Sequence, residues 1–309
     1  MNTTAPQSQM DPILDAARTG DAKRLRAMLR QDPDAAYTRD SAGRAPIHLA
    51  AIADHWPTEG HEKCLRALVR SGVDVNLPAP HLSFGESTAL LLSAAASHRN
   101  TPIVELLVKR LRANIKLRSE KGASPLDVAA SQGFRETCEV LLQAGAPLTP
   151  HAAAALGKYQ ELKAMLRLDP EVADQRDPHL RASPLYYAAW QDQKEIVQLL
   201  LEFEVNLGME NTDGNTAMHV AAAAGARRTL ELLIASGADV NAKNFNMQTP
   251  VHWAIEEWFV ENVETIKLLA SHGADLGVKD FHKLSALAKA KASGKNHLVE
   301  VLRKLGARE

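Results

Sequence analysis

A four-residue run returns along this chain at an almost fixed interval, and that interval limits the fold more than any other property. Residues 216–219 read TAMH, 249–252 read TPVH and 45–48 read APIH, with looser copies starting at Thr88, Ser124, Ser183 and Ser285. From Ser183 the successive steps are 33, 33 and 36 residues. A second marker follows most copies: SGVDVN ending at Asn76, AGAPL from Ala144, SGADVN ending at Asn241 and HGADL ending at Leu276. A period of this size marks an array whose single unit cannot bury its own apolar face.

Between the markers lie two helical patterns. The first, AMHVAAAAG over 217–225, is built of small residues, which let a neighbouring helix approach closely. The second, RRTLELLIASG over 227–237, carries apolar residues at helical spacing and ends on Gly237, suited to a left-handed C-terminal cap. The next eleven residues, ADVNAKNFNMQ, read as extended chain and then a turn. Each unit is therefore helix, turn, helix, hairpin-like loop. Only 5% of the residues are aromatic, so the core has to be Ala, Leu and Val. At about 25 cal/mol per Å² of apolar area, against ~1–2 kcal/mol of backbone entropy per residue, such a unit needs neighbours on both sides.

These residues resemble the ankyrin-repeat family, whose consensus G-x-TPLHLAA-x-x-G, then E-x-V-x-x-LL-x-x-GADVN, is matched nearly position by position over residues 216–241. The resemblance extends over about residues 11 to 307 and implies an all-α solenoid of stacked helix-turn-helix units with β-hairpin-like loops. Nine units are expected, beginning near residues 11, 40, 83, 119, 150, 178, 211, 244 and 280. Residues 1–10 read as a disordered tail, 11–149 as a first sub-stack of repeats one to four, and 150–309 as a second of repeats five to nine. The degenerate first and fifth units share AMLRxDP, 137 residues apart, where Pro33 and Pro170 should stop a helix. Either a block was duplicated or the motif is a local helix-ending device. Lys289 and Lys291, at positions where inner repeats carry Leu and Ala, and the polar Asp15, Arg18, Asp21, Arg24 and Arg26 read as the outer faces of terminal caps.

Thirty-six basic and thirty-seven acidic residues leave a formal charge of −1, which gives no general attraction to nucleic acid or anionic membrane. No run approaches a membrane span, and the polar start MNTTAPQSQMDP has no signal-like segment. The cytoplasm is the expected address, with the nucleus also open to such a chain. Cys64 and Cys138 sit in helical apolar runs and read as small buried hydrophobes. Of twelve histidines, His48, His219 and His252 hold the repeat-consensus position, where the family uses the imidazole to bridge neighbouring hairpins. His55 and His98 fall at helix–helix turns. His61, two carboxylates and Cys64 lie together in TEGHEKC, without the spacing of a zinc site. Phosphate-cradle and nucleophile-elbow motifs are missing, so no catalytic residue, metal or cofactor is expected.

In the family, partners contact hairpin tips and the exposed part of each first helix. Trp190, Phe245, Trp258 and Phe281 are large aromatics at positions where the repeat needs none, beside Glu256, Glu257 and His282. Exposed aromatics are the usual anchors of interfaces. They predict a groove over repeats six to nine for an apolar, basic protein segment; the competing reading folds each ring over a neighbouring turn as extra core. Trp253 replaces a core leucine and reads as core. Insertions around residues 54–63 and 77–87 bring Trp56 and Phe84, either as surface loops or as recognition elements. The leading expectation is a monomeric, non-catalytic scaffold, adaptor or inhibitor. A second makes the hairpin asparagines Asn76, Asn206 and Asn241 substrates of an asparaginyl hydroxylase, as the resemblance allows. A third is an enzyme or metal-binding protein.

Overall fold

The computed structural model describes residues 11–53, 56–256 and 262–308, so the expected tail over 1–10 and the turn histidine His55 lie outside the described residues. Within them, eighteen α-helices form nine helix-turn-helix pairs. The chain divides into two compact units between Leu148 and Thr149.

In the first unit the pairs are α1 (Pro12–Thr19) with α2 (Ala22–Gln31), α3 (Pro46–Ile52) with α4 (Glu59–Arg70), α5 (Ala89–Ala96) with α6 (Thr101–Glu105), and α7 (Pro125–Ser131) with α8 (Arg135–Gln143). The second unit holds α9 (Pro150–Leu156) with α10 (Tyr159–Leu168), α11 (Pro184–Trp190) with α12 (Lys194–Leu201), α13 (Ala217–Ala223) with α14 (Arg227–Ala235), α15 (Pro250–Ile255) with α16 (Val263–Ser271), and α17 (Ala286–Ala292) with α18 (Asn296–Lys304). Within each unit the first helices of successive pairs touch one another and form an inner layer. Their alanines are buried, among them Ala50, Ala51, Ala188, Ala189, Ala221 and Ala222. The outer helices contribute leucines such as Leu65, Leu141, Leu200 and Leu233 to the seam between the layers. The β content is one antiparallel pair among the described residues, β1 (Pro78–Ala79) with β2 (Ser87–Thr88).

The repeated four-residue run explains where the inner helices start. Ser124, Thr149, Ser183 and Ser285 accept the backbone N–H three residues ahead, and Pro46, Pro125, Pro150, Pro184 and Pro250 occupy first helical positions, where a missing N–H costs nothing. In the Thr-x-x-His copies the histidine does more. Nδ1 of His219 accepts the N–H of Thr216 at 3.1 Å, so the proton sits on Nε2, which donates to Gln248 O in the next hairpin at 3.0 Å. His48 with Leu77 and His252 with Leu284 repeat the bridge at 2.8 and 3.2 Å. His151 joins the set through Gln175 O at 2.8 Å.

A second set of staples sits at the C-terminal ends of inner helices in both units. Asn100 donates to Ala51 O and Ile52 O, Asn262 to Ala222 O and Ala223 O, and Gln193 to Ala155 O. Each satisfies carbonyls at the C-terminus of the preceding inner helix, which have no partner within their own helix.

The AMLRxDP motif behaves identically in both copies. α2 and α10 stop at Gln31 and Leu168, Asp32 and Asp169 turn extended as a following proline demands, and each caps a short 3₁₀ turn, Pro33–Tyr37 or Pro170–Asp174. Repeat three carries one residue more between Glu105 and its turn than repeat seven does from Glu231 to Gly237, and it absorbs it as a π-helical turn over Leu106–Arg110. The Leu111 N–H donates back to Leu106 O, and Arg112 takes the left-handed conformation that Gly237 supplies elsewhere.

Two terminal and loop expectations change. Arg18 and Arg24 both pair with Asp15 at 3.0 Å on the first repeat. Lys289 does not face outward as a cap residue: its side chain is 12% exposed and its ammonium meets Glu256 of the preceding repeat. A long flexible stem reaches back along apolar surface to a carboxylate, which satisfies the charge without solvent. In the first insertion Trp56 is exposed with the Arg99 guanidinium 3.7 Å from its ring centroid. In the second, Phe84 is buried with Leu91, Leu92, Ala123 and Val128 and stacks on His81 at 4.8 Å. That loop is therefore an extension of the core.

Candidate protein-interaction surface

The hairpin tips of the second unit are shaped by one buried polar residue each. Asn211 Oδ1 accepts the N–H groups of Asp213 and Asn215 at 2.9 Å, and Asn244 Oδ1 accepts those of Asn246 and Gln248 at 3.0 and 2.9 Å. Asp177 accepts from His179, Leu180 and Ala182, all at 2.8 Å, and Asp280 from Leu284 at 2.9 Å. Short polar side chains that bond their own backbone fix a turn at low entropic cost. The fixed tips then bond one another: Thr212 N–H donates to Leu180 O, Phe245 N–H to Asp213 O, and Phe281 N–H to Asn246 O, at 2.8, 3.1 and 2.9 Å.

This ladder puts Phe245 and Phe281 at equivalent positions on adjacent tips, 67% and 68% exposed. The Phe245 ring rests over Gly214, where an added Cβ would lie 2.6 Å from ring Cδ1, so the glycine makes the seat for the ring. His282 is exposed beside Phe281, its ring edge-on at 5.7 Å. Met247, 44% exposed with φ 58°, adds a third apolar side chain. The sequence signal for Met247 is its place beside Phe245 in the NFNMQ turn.

The remaining predicted residues do not all join this ridge. Trp190 is the last residue of α11, half-buried, about 9 Å of helix away from its hairpin at ~1.5 Å per residue. Glu256 already accepts from Gln248 Nε2 at 3.0 Å and from Lys289, so its charge is answered within the molecule. Glu257 and Trp258 lie outside the described residues. Trp253 is half-buried, donating its indole N–H to Gln248 Oε1 at 3.1 Å and standing edge-on to His219.

His61 caps α4: Nδ1 accepts from Thr58 N–H at 3.1 Å and Nε2 donates to Arg18 O at 2.9 Å. The Thr-x-x-His spacing of 58–61 is the same as in 216–219, a signal that the sequence offered and that was not used. Among the described residues no three His, Cys, Asp or Glu side chains are grouped as a metal ion requires. Burial pushes both thiols, Cys64 and Cys138, up to about 12, far from the thiolate form a nucleophile needs. Asn241 donates to Gly273 O and accepts from Asp275 N–H, and Asn76 accepts from Asn114 N–H, so both hold the following repeat. Asn206 is exposed and accepts only within its own turn, from Gly208 N–H at 3.0 Å. No described helix is long and apolar enough to cross a membrane.

Comparison with known proteins agrees with this architecture. A profile of three ankyrin repeats matches residues 59–150 and 151–244, and a single-repeat profile matches 246–281. The potassium channel AKT2/3 of Arabidopsis thaliana is 31% identical over 169 residues, 52% of this chain and 21% of the channel. Inversin of Canis lupus familiaris is 24% identical over 257 residues, 81% of this chain and 20% of inversin. The B-cell lymphoma 3 protein homolog of Mus musculus is 26% identical over 211 residues, 67% of this chain and 39% of that protein. The chain thus spans well under half the length of these relatives. With repeat profiles matching most of its residues and nine helix-turn-helix pairs among those described, the chain belongs to the ankyrin-repeat family.

Proposed function

We propose that this chain is a non-catalytic protein-binding module, a scaffold, adaptor or inhibitor, that takes an apolar segment of a partner protein over the tips of repeats six to nine. The observation that carries this is the pair Phe245 and Phe281, held two-thirds exposed on neighbouring tips by the backbone ladder that fixes their spacing. Rigid aromatic rings on a preformed surface contribute contact area at little entropic cost on binding. With Glu256 paired internally, attraction for a basic partner plays a smaller part than apolar contact. Two buried, unpaired thiols suit a reducing compartment. Affinity purification with the parent and a Phe245→Ser/Phe281→Ser variant of equal helicity tests the reading. Loss of specific partners in the variant is the expected result; an identical set of recovered proteins overturns it.

A second reading, modification of a hairpin asparagine, is favoured at Asn206, whose carboxamide is exposed and holds no neighbouring repeat. Intact-mass measurement of natively produced protein decides it by the gain, or not, of one oxygen at that residue.

A further inference from the structure

We propose that the outer-helix face of the first unit is a second docking surface, for an acidic protein segment, distinct from the hairpin tips. The C-terminal halves of α2, α4 and the π-helical turn after α6 carry Arg26 and Arg30, Arg66 and Arg70, and Lys109 and Arg110. Arg66 stands 3.9 Å from Glu62, and Lys109 pairs with Glu105 at 2.7 Å. Arg26, Arg30, Arg70 and Arg110 are exposed and reach no carboxylate within ion-pair distance among the described residues. Cations do complement the dipole of a helix C-terminus, but the fold has no need of them there. The last turns of α8, α12, α14 and α16 carry none, while α10 ends in Arg167 and α18 in Arg303 and Lys304. Three consecutive outer helices ending in arginine or lysine make a row that the repeat itself does not require.

The row borders two grooves. Between α2 and α4, Arg26, Arg30 and Arg70 surround a space of about 200 Å³ over Leu29 and Ala67. Between α4 and α6 the outer helices pack less closely than α2 with α4 or α6 with α8, and a groove of about 470 Å³ opens over Pro102 and Leu106, edged by the pairs Arg66–Glu62 and Lys109–Glu105 and by Arg110, which leaves it with one cation in excess. An apolar floor with guanidinium edges fits carboxylates interspersed with aliphatic side chains, the guanidinium fork taking each carboxylate in two hydrogen bonds. Nucleic acid fits less well, because neither groove has an aromatic ring on which a base could stack.

The test is fluorescence anisotropy of the full chain with a fluorescein-labelled peptide of alternating Glu and Leu, a Gln/Leu peptide and a labelled oligothymidylate. The Glu/Leu peptide should bind, more weakly as salt rises, and an Arg70→Glu/Arg110→Glu variant should weaken it by about tenfold or more. Both positions are exposed, and unchanged far-UV circular dichroism confirms folding. The equally exposed reversal Arg303→Glu/Lys304→Glu on α18 should leave affinity within about twofold. The proposal is overturned if the parent fails to bind the Glu/Leu peptide, binds the Gln/Leu peptide as well, loses affinity equally with both reversals, or prefers the oligothymidylate.

Discussion

The Nε2–H of His219 donates to the carbonyl oxygen of Gln248 across 3.0 Å, so one fully buried imidazole ties the start of α13 to the next repeat's hairpin. His219→Leu would strand the Thr216 N–H, whose acceptor is Nδ1, and remove one of the donors to Gln248 O. A buried group left unsatisfied costs about 1–3 kcal/mol, which urea unfolding followed by circular dichroism resolves. A variant as stable as the parent would show the bridge to be dispensable.

The same histidines make stability depend on pH, and the sign follows from their direction of shift. Burial pushes His219 down to about 4 and lowers His48 and His252, while the unfolded chain titrates near the ordinary value of 6.5. Below 6.5 the unfolded state binds protons that the folded state refuses, so the folded state loses ground as pH falls. The loss begins near pH 6.5 and continues until His219 itself is protonated near 4. For His219 alone it amounts to about 3 kcal/mol at most. Thermal midpoints measured from pH 8 to pH 4 should be flat above 7 and decline below it; the decline should shrink in His219→Leu, whose position no longer titrates.

Gly60 sits where two backbones meet. A Cβ there would lie 2.1 Å from Gly20 O, at the turn between α1 and α2. Alanine favours a helix over glycine by about 1 kcal/mol, yet the clash is with main chain and cannot be relieved by a rotamer. Overpacking of this kind costs about 1–3 kcal/mol, so Gly60→Ala should destabilise despite the better propensity. A raised thermal midpoint would show that the turn yields freely.

The two insertions should respond in opposite ways. Phe84→Ala removes a ring buried among Leu91, Leu92, Ala123 and Val128 and should cost about 3–5 kcal/mol. Trp56→Ala removes a ring that is 66% exposed and held by a single guanidinium, and should cost less than about 1 kcal/mol. Equal losses from parallel denaturant titrations would contradict the assignment of one loop to the core.

What was legible in the sequence follows the periodicity. The helix pairs and the helix stops at Pro33 and Pro170 could be read because each rests on local residues in fixed order, and the histidine bridges were expected from the family resemblance. Contacts between repeats made by other side chains were not, since nothing within one repeat states what lies opposite in the next. Phe84 looked like a loop aromatic because its partners come from α5 and from the two stretches flanking Ser124. Glu256 looked like an available charge because its partner Lys289 is 33 residues away. At the candidate site, the exposure of Phe245 and Phe281 followed from tip positions, whereas the half-burial of Trp190 at the end of α11 depends on what packs around it.

The Glu256–Lys289 pair also permits a test of asymmetry. Lys289 stands where the inner repeats carry Val220 and Trp253, and its side chain is 12% exposed against 31% for Glu256. Removing the carboxylate by Glu256→Leu would leave an ammonium largely shielded from water with no counter-charge, a change that costs about 3–5 kcal/mol in a dry site and about half that at this partial exposure. Lys289→Leu acts differently. It restores the apolar character of the inner helix and leaves Glu256 bonded to Gln248 Nε2 with access to solvent, so stability should stay within about 1 kcal/mol of the parent or rise. Urea titrations of the two variants read the difference directly. Equal losses from both would mean that the pair acts as an ordinary surface ion pair, and would return Glu256 to the set of charges open to a partner.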